Sequence, residues 1–366
     1  LTVKRRFGFA ANLAVMCAAM LCAAAMPMLA DTPTAEQQPS LTVDRDPFPS
    51  PDPPSSSPNR GHPNGGMKGQ ITFTQTVDEV VLNASVFDGS GRLIDGLGQA
   101  DFQIYEDNVP QKMLSFRRED VPVSIGILID NSASMSNKRS AVNTAALDLV
   151  KSSNPEDEVF VVNFADTAYL DADFTSDMNQ LNAGLSHITS SGGTALYDAV
   201  VAAADHEAEA SHRGKQVLLV ITDGEDNSST TTKEAAIRRV QDLSGPEVYA
   251  IGLLFGDEDN ARTKRLARRA LLDMTDQTGG LALFPKNLNE VDAVASQIAA
   301  DLRSQYTLGY RPSRQASEGG YRVVRVEAKA KGMGKLTVRT RAGYFPKPDA
   351  SATTTTPAPA VAPKTN

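Results

Sequence analysis

The stretch Ile127-Leu-Ile-Asp-Asn-Ser-Ala-Ser-Met135 decides how the chain is read. Ile125, Ile127, Leu128 and Ile129 make an apolar run of the kind found in a strand buried on both faces. Asp130, Ser132 and Ser134 then follow at alternate positions and crowd short oxygen donors into one bend. Polar groups at the end of a buried strand need partners. A cation, a phosphate, a helix start or the groups themselves would serve.

Outward from this stretch, the pattern alternates between strand and helix. Strands are expected at 123–130, 159–164, 217–222, 247–254 and 281–284. Helices are expected from near Asn137, where Val142, Ala146, Leu149 and Val150 share a face, and at 195–210, 235–243, 266–274 and 291–302. Strands this apolar predict an α/β fold: a doubly wound, mostly parallel sheet covered by helices. Residues 168–174 follow the second strand so closely that they predict an antiparallel edge.

Both flanks read as β. Residues 71–87, the strand opened by Phe102, Ile104 and Tyr105, and Leu114 with Phe116 precede the α/β unit. Residues 306–310, 321–330 and 336–341 follow it, with Val324, Val326 and Ala328 alternating against Arg325, Glu327 and Lys329. Each flank alone would bury too little surface to fold. Together they predict a small accessory all-β domain into which the α/β unit is inserted. The expected organisation is β segment 67–120, α/β domain 121–303 and β segment 304–346.

The ends differ in character. Lys4, Arg5 and Arg6 precede an apolar run over 7–29 that closes on Ala30, which reads as a secretory signal over 1–30. The competing reading is a membrane anchor; Pro27, the many Ala residues and the polar residues from Asp31 favour cleavage. Both cysteines, Cys17 and Cys22, lie in this leader, so the processed chain would have no thiol chemistry. Residues 31–66 and 347–366 are rich in Pro, Ser, Thr and Ala and read as an extended spacer and tail. The expected location is exported: periplasmic, cell-surface or secreted. Of 366 residues, 41% are hydrophobic and 22% charged, as in a soluble protein, and the net charge of −8 argues against nucleic acid as the main partner.

In an open parallel sheet, ligands bind beyond the carboxyl ends of the strands. Three polar clusters fall there: Asp130 with Ser132 and Ser134, Ser191-Gly-Gly-Thr194, and Thr222-Asp-Gly-Glu-Asp226. This set resembles the metal-ion-dependent adhesion site of von Willebrand factor A (VWA) domains, whose pattern is Asp-x-Ser-x-Ser, a Thr on a second loop and an Asp on a third. Asp130, Ser132, Ser134, Thr194 and Asp223 match it in order. The whole chain resembles an exported bacterial "VWFA-related" group of acidobacterial type, through Asp101-Phe-Gln-Ile-Tyr-Glu-Asp107, Val121-Pro-Val123, Tyr306-Thr-Leu-Gly-Tyr-Arg-Pro312 and Arg341-Ala-Gly-Tyr-Phe345. The resemblance implies a Rossmann-like VWA fold, Mg²⁺ (or Mn²⁺ or Ca²⁺) held by those five residues, and a protein ligand that supplies an acidic residue to the metal. It implies adhesion or scaffolding, not catalysis.

Other readings are weighed against this one. Ser132 and Ser134 would serve as helix caps, and Asp223 as a turn residue before Gly224. A phosphoryl-transfer enzyme of haloacid-dehalogenase type also ends its first strand in Asp, but its general acid falls where Ser132 stands. A metal-independent assembly protein of the envelope is the remaining class. His206-Glu207 with His212 misses the i, i+4 spacing of a zinc helix, and His62 and His187 do not complete a set. Lys264, Arg265, Arg268 and Arg269, the acidic turn 257–259 and the sequon Asn83-Ala-Ser85 read as ordinary surface.

Overall fold

The computed structural model describes residues 79–118, 120–187, 190–255 and 261–346. The leader, both cysteines, the spacer with His62, residues 71–78, the acidic turn 257–259 and the tail lie outside them.

In chain order the first strands are β1 (Val80–Phe87), β2 (Phe102–Glu106), β3 (Val109–Gln111) and β4 (Met113–Arg117). The α/β part follows as β5 (Val123–Asp130), α1 (Arg139–Ser152), β6 (Glu158–Phe164), β7 (Ala168–Thr175), α2 (Met178–Leu185), α3 (Leu196–Ala210), β8 (Lys215–Thr222), α4 (Lys233–Asp242), β9 (Glu247–Gly252), α5 (Ala261–Thr278), β10 (Ala282–Leu283) and α6 (Val291–Arg303). The chain ends in β11 (Tyr306–Tyr310), β12 (Arg322–Ala328), β13 (Thr337–Arg339) and β14 (Gly343–Tyr344).

The large sheet has the order β10-β9-β8-β5-β6-β7, parallel except for β7. Every residue of β5 is buried. Its side chains feed two cores: Ile125, Ile127 and Ile129 face α1, α2 and α6, whereas Leu128 faces α3, α4 and α5. Each large aliphatic side chain contributes about 1.5–3 kcal/mol by leaving water. From β5 the chain steps one way to β6; from β8 it steps the other way to β9 and β10. The order therefore reverses between β5 and β8, where a crevice opens at the carboxyl ends of the strands.

The β flanks form two four-stranded antiparallel sheets, β13-β1-β11-β4 and β14-β12-β2-β3. Each sheet mixes strands from before and after the α/β part. Their shared core holds Leu82, Ala84, Ile104, Tyr306, Leu308, Tyr310 and Val326. Arg322 and Glu106 are buried at its side as a pair 3.3 Å apart, and Tyr310 and Tyr344 donate to the same carboxylate at 2.6 and 2.8 Å.

The two parts meet beside the amino-terminal ends of the parallel strands. Only Ser304 and Gln305 separate α6 from β11. Tyr249 Oη donates to Asp301 Oδ2 at 2.7 Å, and Arg339 from β13 binds the same oxygen. Within the α/β part, Lys215 Nζ donates to the Leu302 carbonyl at 2.5 Å. Gly279 permits close approach at the junction: it has φ +96°, and a Cβ on it would sit 2.6 Å from the Arg341 backbone nitrogen.

Several elements differ from the sequence expectation, the short strands β3 and β14 among them. Helix α2 was not expected; it is short and starts with the Asp177 side chain accepting from Asn179 N at 2.8 Å. The strand expected over 247–254 leaves the sheet after Gly252, and the helix expected over 266–274 spans Ala261–Thr278.

Candidate metal centre

Three loops reach the crevice, and backbone bonds stitch them together. Asn131 N donates to the Phe164 carbonyl at 2.6 Å, and Ser191 N to the Asn131 carbonyl at 3.1 Å, which ties the first loop to the second. Thr194 N donates to Asn227 Oδ1 at 2.9 Å, and Asn227 N returns to the Thr194 carbonyl at 3.0 Å, which ties the second to the third. The second loop needs its glycines. Gly192 has φ +81°, and Gly193 N donates to Asp166 Oδ1 at 2.8 Å. A Cβ on Gly193 would lie 2.2 Å from Ser228 Oγ and 2.5 Å from Asn227 Oδ1.

Asp130 ends β5 and is wholly buried. Its Oδ1 accepts from Ser132 N at 2.8 Å and its Oδ2 from Thr222 Oγ1 at 2.5 Å. Burial pushes its carboxyl above the ordinary range; the bonds from Ser132 and Thr222 pull it back, and the charge of Asp223 adds to the rise. Ser132 Oγ and Ser134 Oγ lie 3.2 Å apart, and Ser134 Oγ donates to Asp223 Oδ1 at 2.8 Å. The Lys138 ammonium donates to Asp223 Oδ2. Thr194 is buried on the adjoining loop, and a Cβ placed on Gly224 would lie 3.7 Å from its Oγ1.

The structure thus brings Asp130, Ser132, Ser134 and Asp223 into one hydrogen-bonded cluster, with Thr194 on the neighbouring loop. It does not show the alternative uses of these residues. Ser132 precedes the short turn Ala133–Met135 without a side-chain cap bond, and α1 starts behind Lys138, also without one. The Asp223 carboxylate is turned to the first loop. Sequence reasoning missed three contributors. Thr222, the polar residue that closes an otherwise apolar strand, carried a readable signal. Asn227 and Lys138 carried none, because their partners lie 33 and 85 residues away.

The donor set fits a hard divalent cation. Short hydroxyl and carboxylate oxygens from the first and third loops meet, and Thr194 is buried on the loop between them, which suits the octahedral oxygen shell of Mg²⁺. Two buried carboxylates that repel each other call for positive charge, and an ammonium already stands against one of them. Among the described residues there is no group of three or more His, Cys, Asp or Glu placed to hold a metal, so a cation here would depend on the hydroxyls. The other histidines are engaged separately. His206 Nε2 lies 2.9 Å from Asp173, His187 Nδ1 2.8 Å from Asp171, and His212 Nδ1 3.5 Å from Glu158. Arg268 lies over the Phe284 ring at 3.9 Å, and Asn83 sits within β1, where Thr307 Oγ1 donates to it at 3.3 Å.

This is a doubly wound α/β domain with an oxygen-rich crevice at the point where its strand order reverses. Residues 125–225 match the family model for the von Willebrand factor type A domain, and the α/β part has the VWA-type fold. Inter-alpha-trypsin inhibitor heavy chain H6 of Homo sapiens is 24% identical over 267 residues, covering 66% of this chain; the chain spans about a fifth of that relative, 20% of its length. Among solved structures, a von Willebrand factor type A protein from Catenulispora acidiphila is 14% identical over 75% of this chain and 76% of its own, with TM-score 0.42. The vWF domain of the type V pili tip protein Mfa5 from Porphyromonas gingivalis is 15% identical over 50% of this chain and 95% of its own, with TM-score 0.40. Proximal thread matrix protein 1 from the mussel byssus is 16% identical over 54% of this chain and 49% of its own, with TM-score 0.41.

Proposed function

We propose that this chain is an exported adhesion or scaffolding protein whose VWA domain binds a protein ligand through a divalent cation, Mg²⁺ or Mn²⁺, held by Asp130, Ser132, Ser134, Thr194 and Asp223. The observation that carries the reading is the meeting of hydroxyl and carboxylate oxygens from the first and third loops at the sheet's switch point, with Thr194 on the loop tied to both. Ser132, Ser134 and Thr194 are the neutral ligands, and Asp130 and Asp223 supply the charge. A cation held mainly by neutral oxygens would bind one further anionic oxygen, such as a partner's Asp or Glu carboxylate. Asp130 holds the first loop through Ser132 N, and Thr222 fixes its other oxygen.

The same cluster speaks against a phosphoryl-transfer enzyme. The position that would carry the general acid is Ser132, whose hydroxyl lies against Ser134. Export rests on the leader sequence; among the described residues no helix is long and apolar enough to cross a membrane. A metal-independent assembly role is the second reading, and the Lys138–Asp223 contact favours it, because it satisfies that carboxylate without a metal.

The test is capture of partners from envelope extracts on the immobilised chain, with Mg²⁺ or with excess EDTA, beside the variant Asp130→Ala/Ser132→Ala. Partners retained with Mg²⁺ and lost both in EDTA and in the variant support the reading. Capture that EDTA leaves unchanged sinks it and leaves metal-independent assembly.

A further inference from the structure

We infer that Lys138 is a built-in counter-ion of the metal centre: its ammonium occupies the charge of Asp223 in the metal-free protein and must leave before a divalent cation can bind. The inference rests on the cation reading above and adds a competitor to it.

Four observations place Lys138 in this role. It lies in the turn between Ala133–Met135 and α1, so the segment that carries Ser132 and Ser134 also carries the ammonium. The ammonium binds Asp223 Oδ2, while Ser134 Oγ occupies Oδ1 at 2.8 Å. Both oxygens of Asp130 are likewise engaged, by Ser132 N at 2.8 Å and Thr222 Oγ1 at 2.5 Å. The two carboxylates of the crevice are therefore satisfied in unlike ways: Asp130 by neutral donors, Asp223 by a positive charge.

The exposures make the competition consequential. The Asp223 side chain is 1% exposed, and that of Lys138 is 19% exposed. A carboxylate so buried is costly to leave without a counter-charge. A divalent cation reaching Asp223 would meet the ammonium a few ångströms away, and like charges at that separation repel strongly in a half-buried site. A cation that shared the carboxylate with the ammonium would bear that repulsion. Lys138 also has somewhere to go: its four-carbon stem ends near solvent, and its ammonium already lies 5.8 Å from the centre of the Phe255 ring on the crevice rim.

Metal uptake then includes a displacement step. The apparent dissociation constant is raised by the ratio of the closed to the open position of Lys138. A part-exposed, charge-assisted pair of this kind favours the closed position by roughly tenfold. The centre would fill only where divalent cation is plentiful, and filling it would release an ammonium onto the rim, where a partner's carboxylate arrives.

The test compares the full chain with Lys138→Met, which keeps the stem and removes the charge, and with Lys138→Arg, which keeps the charge. Titration calorimetry with MgCl₂ and MnCl₂ reads the affinity, and thermal unfolding in EDTA reads the metal-free state. The expected result is Mg²⁺ binding about tenfold tighter in Lys138→Met than in the parent, with a lower melting temperature in EDTA. Lys138→Arg should stay close to the parent in both. Binding by Lys138→Met where the parent shows none supports the inference more strongly still. Equal dissociation constants in the parent and Lys138→Met overturn the inference and leave the cation reading standing. No binding by any of the three overturns both, and a Lys138→Met melting temperature in EDTA equal to the parent's overturns the counter-ion role by itself.

Discussion

Replacing Arg339 by Met should destabilise the whole molecule by about 3–5 kcal/mol, the cost of breaking one side of a buried ion pair. The magnitude follows from how Asp301 is held. Its side chain is 1% exposed, and its Oδ1 has no hydrogen-bond partner. Its hydrogen bonds fall on Oδ2 alone, shared between Tyr249 Oη at 2.7 Å and the Arg339 guanidinium. Without Arg339, a single neutral donor is hydrogen-bonded to the carboxylate, and the charge left acting on it is the Lys215 ammonium. The same substitution removes the bond from Arg339 to Ser85 Oγ at 3.0 Å and the guanidinium 5.2 Å from the Phe87 ring centre, both on β1. Because Arg339 belongs to the β flanks and Asp301 to α6 of the α/β part, the loss falls on the junction. Urea unfolding followed by circular dichroism measures it. Arg339→Met/Asp301→Asn should recover more than half of the loss, since the stranded charge is gone. A loss below about 1 kcal/mol in the single variant, the range of exposed surface pairs, would refute the claim that this contact holds the two parts together.

Three further outcomes are expected. Glu207 is fully buried, its Oε2 is unpartnered, and burial pushes its pKa well above the ordinary value. A raised carboxyl pKa means that stability is lost as pH climbs from the unfolded value of about 4.3 toward the folded one. Glu207→Gln should therefore be more stable than the parent at pH 7.5 and level with it near pH 4; parallel urea midpoints across that range would contradict this. Gly193→Ala drives a methyl into Ser228 and Asn227, so it should shift the loop that carries Thr194, cost about 1–3 kcal/mol as overpacking does, and weaken Mn²⁺ binding; unchanged binding would separate that loop from the centre. Arg322→Met strands Glu106 in the β core, where both side chains are 1% exposed, and should cost about 3–5 kcal/mol by calorimetric unfolding, with Tyr310 and Tyr344 left as the donors to that carboxylate. A loss within 1 kcal/mol would show that the tyrosines suffice.

What the sequence made legible follows from period and position. The apolar run ending at Asp130 announced a strand buried on both faces, and β5 is buried along its whole length. The alternation of Val324, Val326 and Ala328 with charged residues announced a one-sided strand, and β12 alternates buried and exposed along most of its length. The two antiparallel sheets interleave strands from both flanks and share one core. Short elements escaped because few residues carry their signal. Helix α2 has one buried stripe, Leu181 with Gly184 and Leu185, and β14 is a two-residue pairing with β12. In the candidate site, the oxygen donors were visible because each stands at a strand end or loop start. Lys138 was not visible: its role exists only through an aspartate 85 residues away, brought near by β8 lying beside β5.

The central claim is a divalent cation at the crevice between β5 and β8. Electron paramagnetic resonance of Mn²⁺ titrated with the full chain tests it most directly, because the signal of the free hydrated ion falls as the ion is bound. The expected result is loss of free signal to about one ion per chain, as a single octahedral oxygen site requires, and its full return with Asp130→Ala while the far-ultraviolet dichroism is unchanged. Binding of Mn²⁺ by Asp130→Ala equal to that of the parent would place the cation elsewhere and contradict the account.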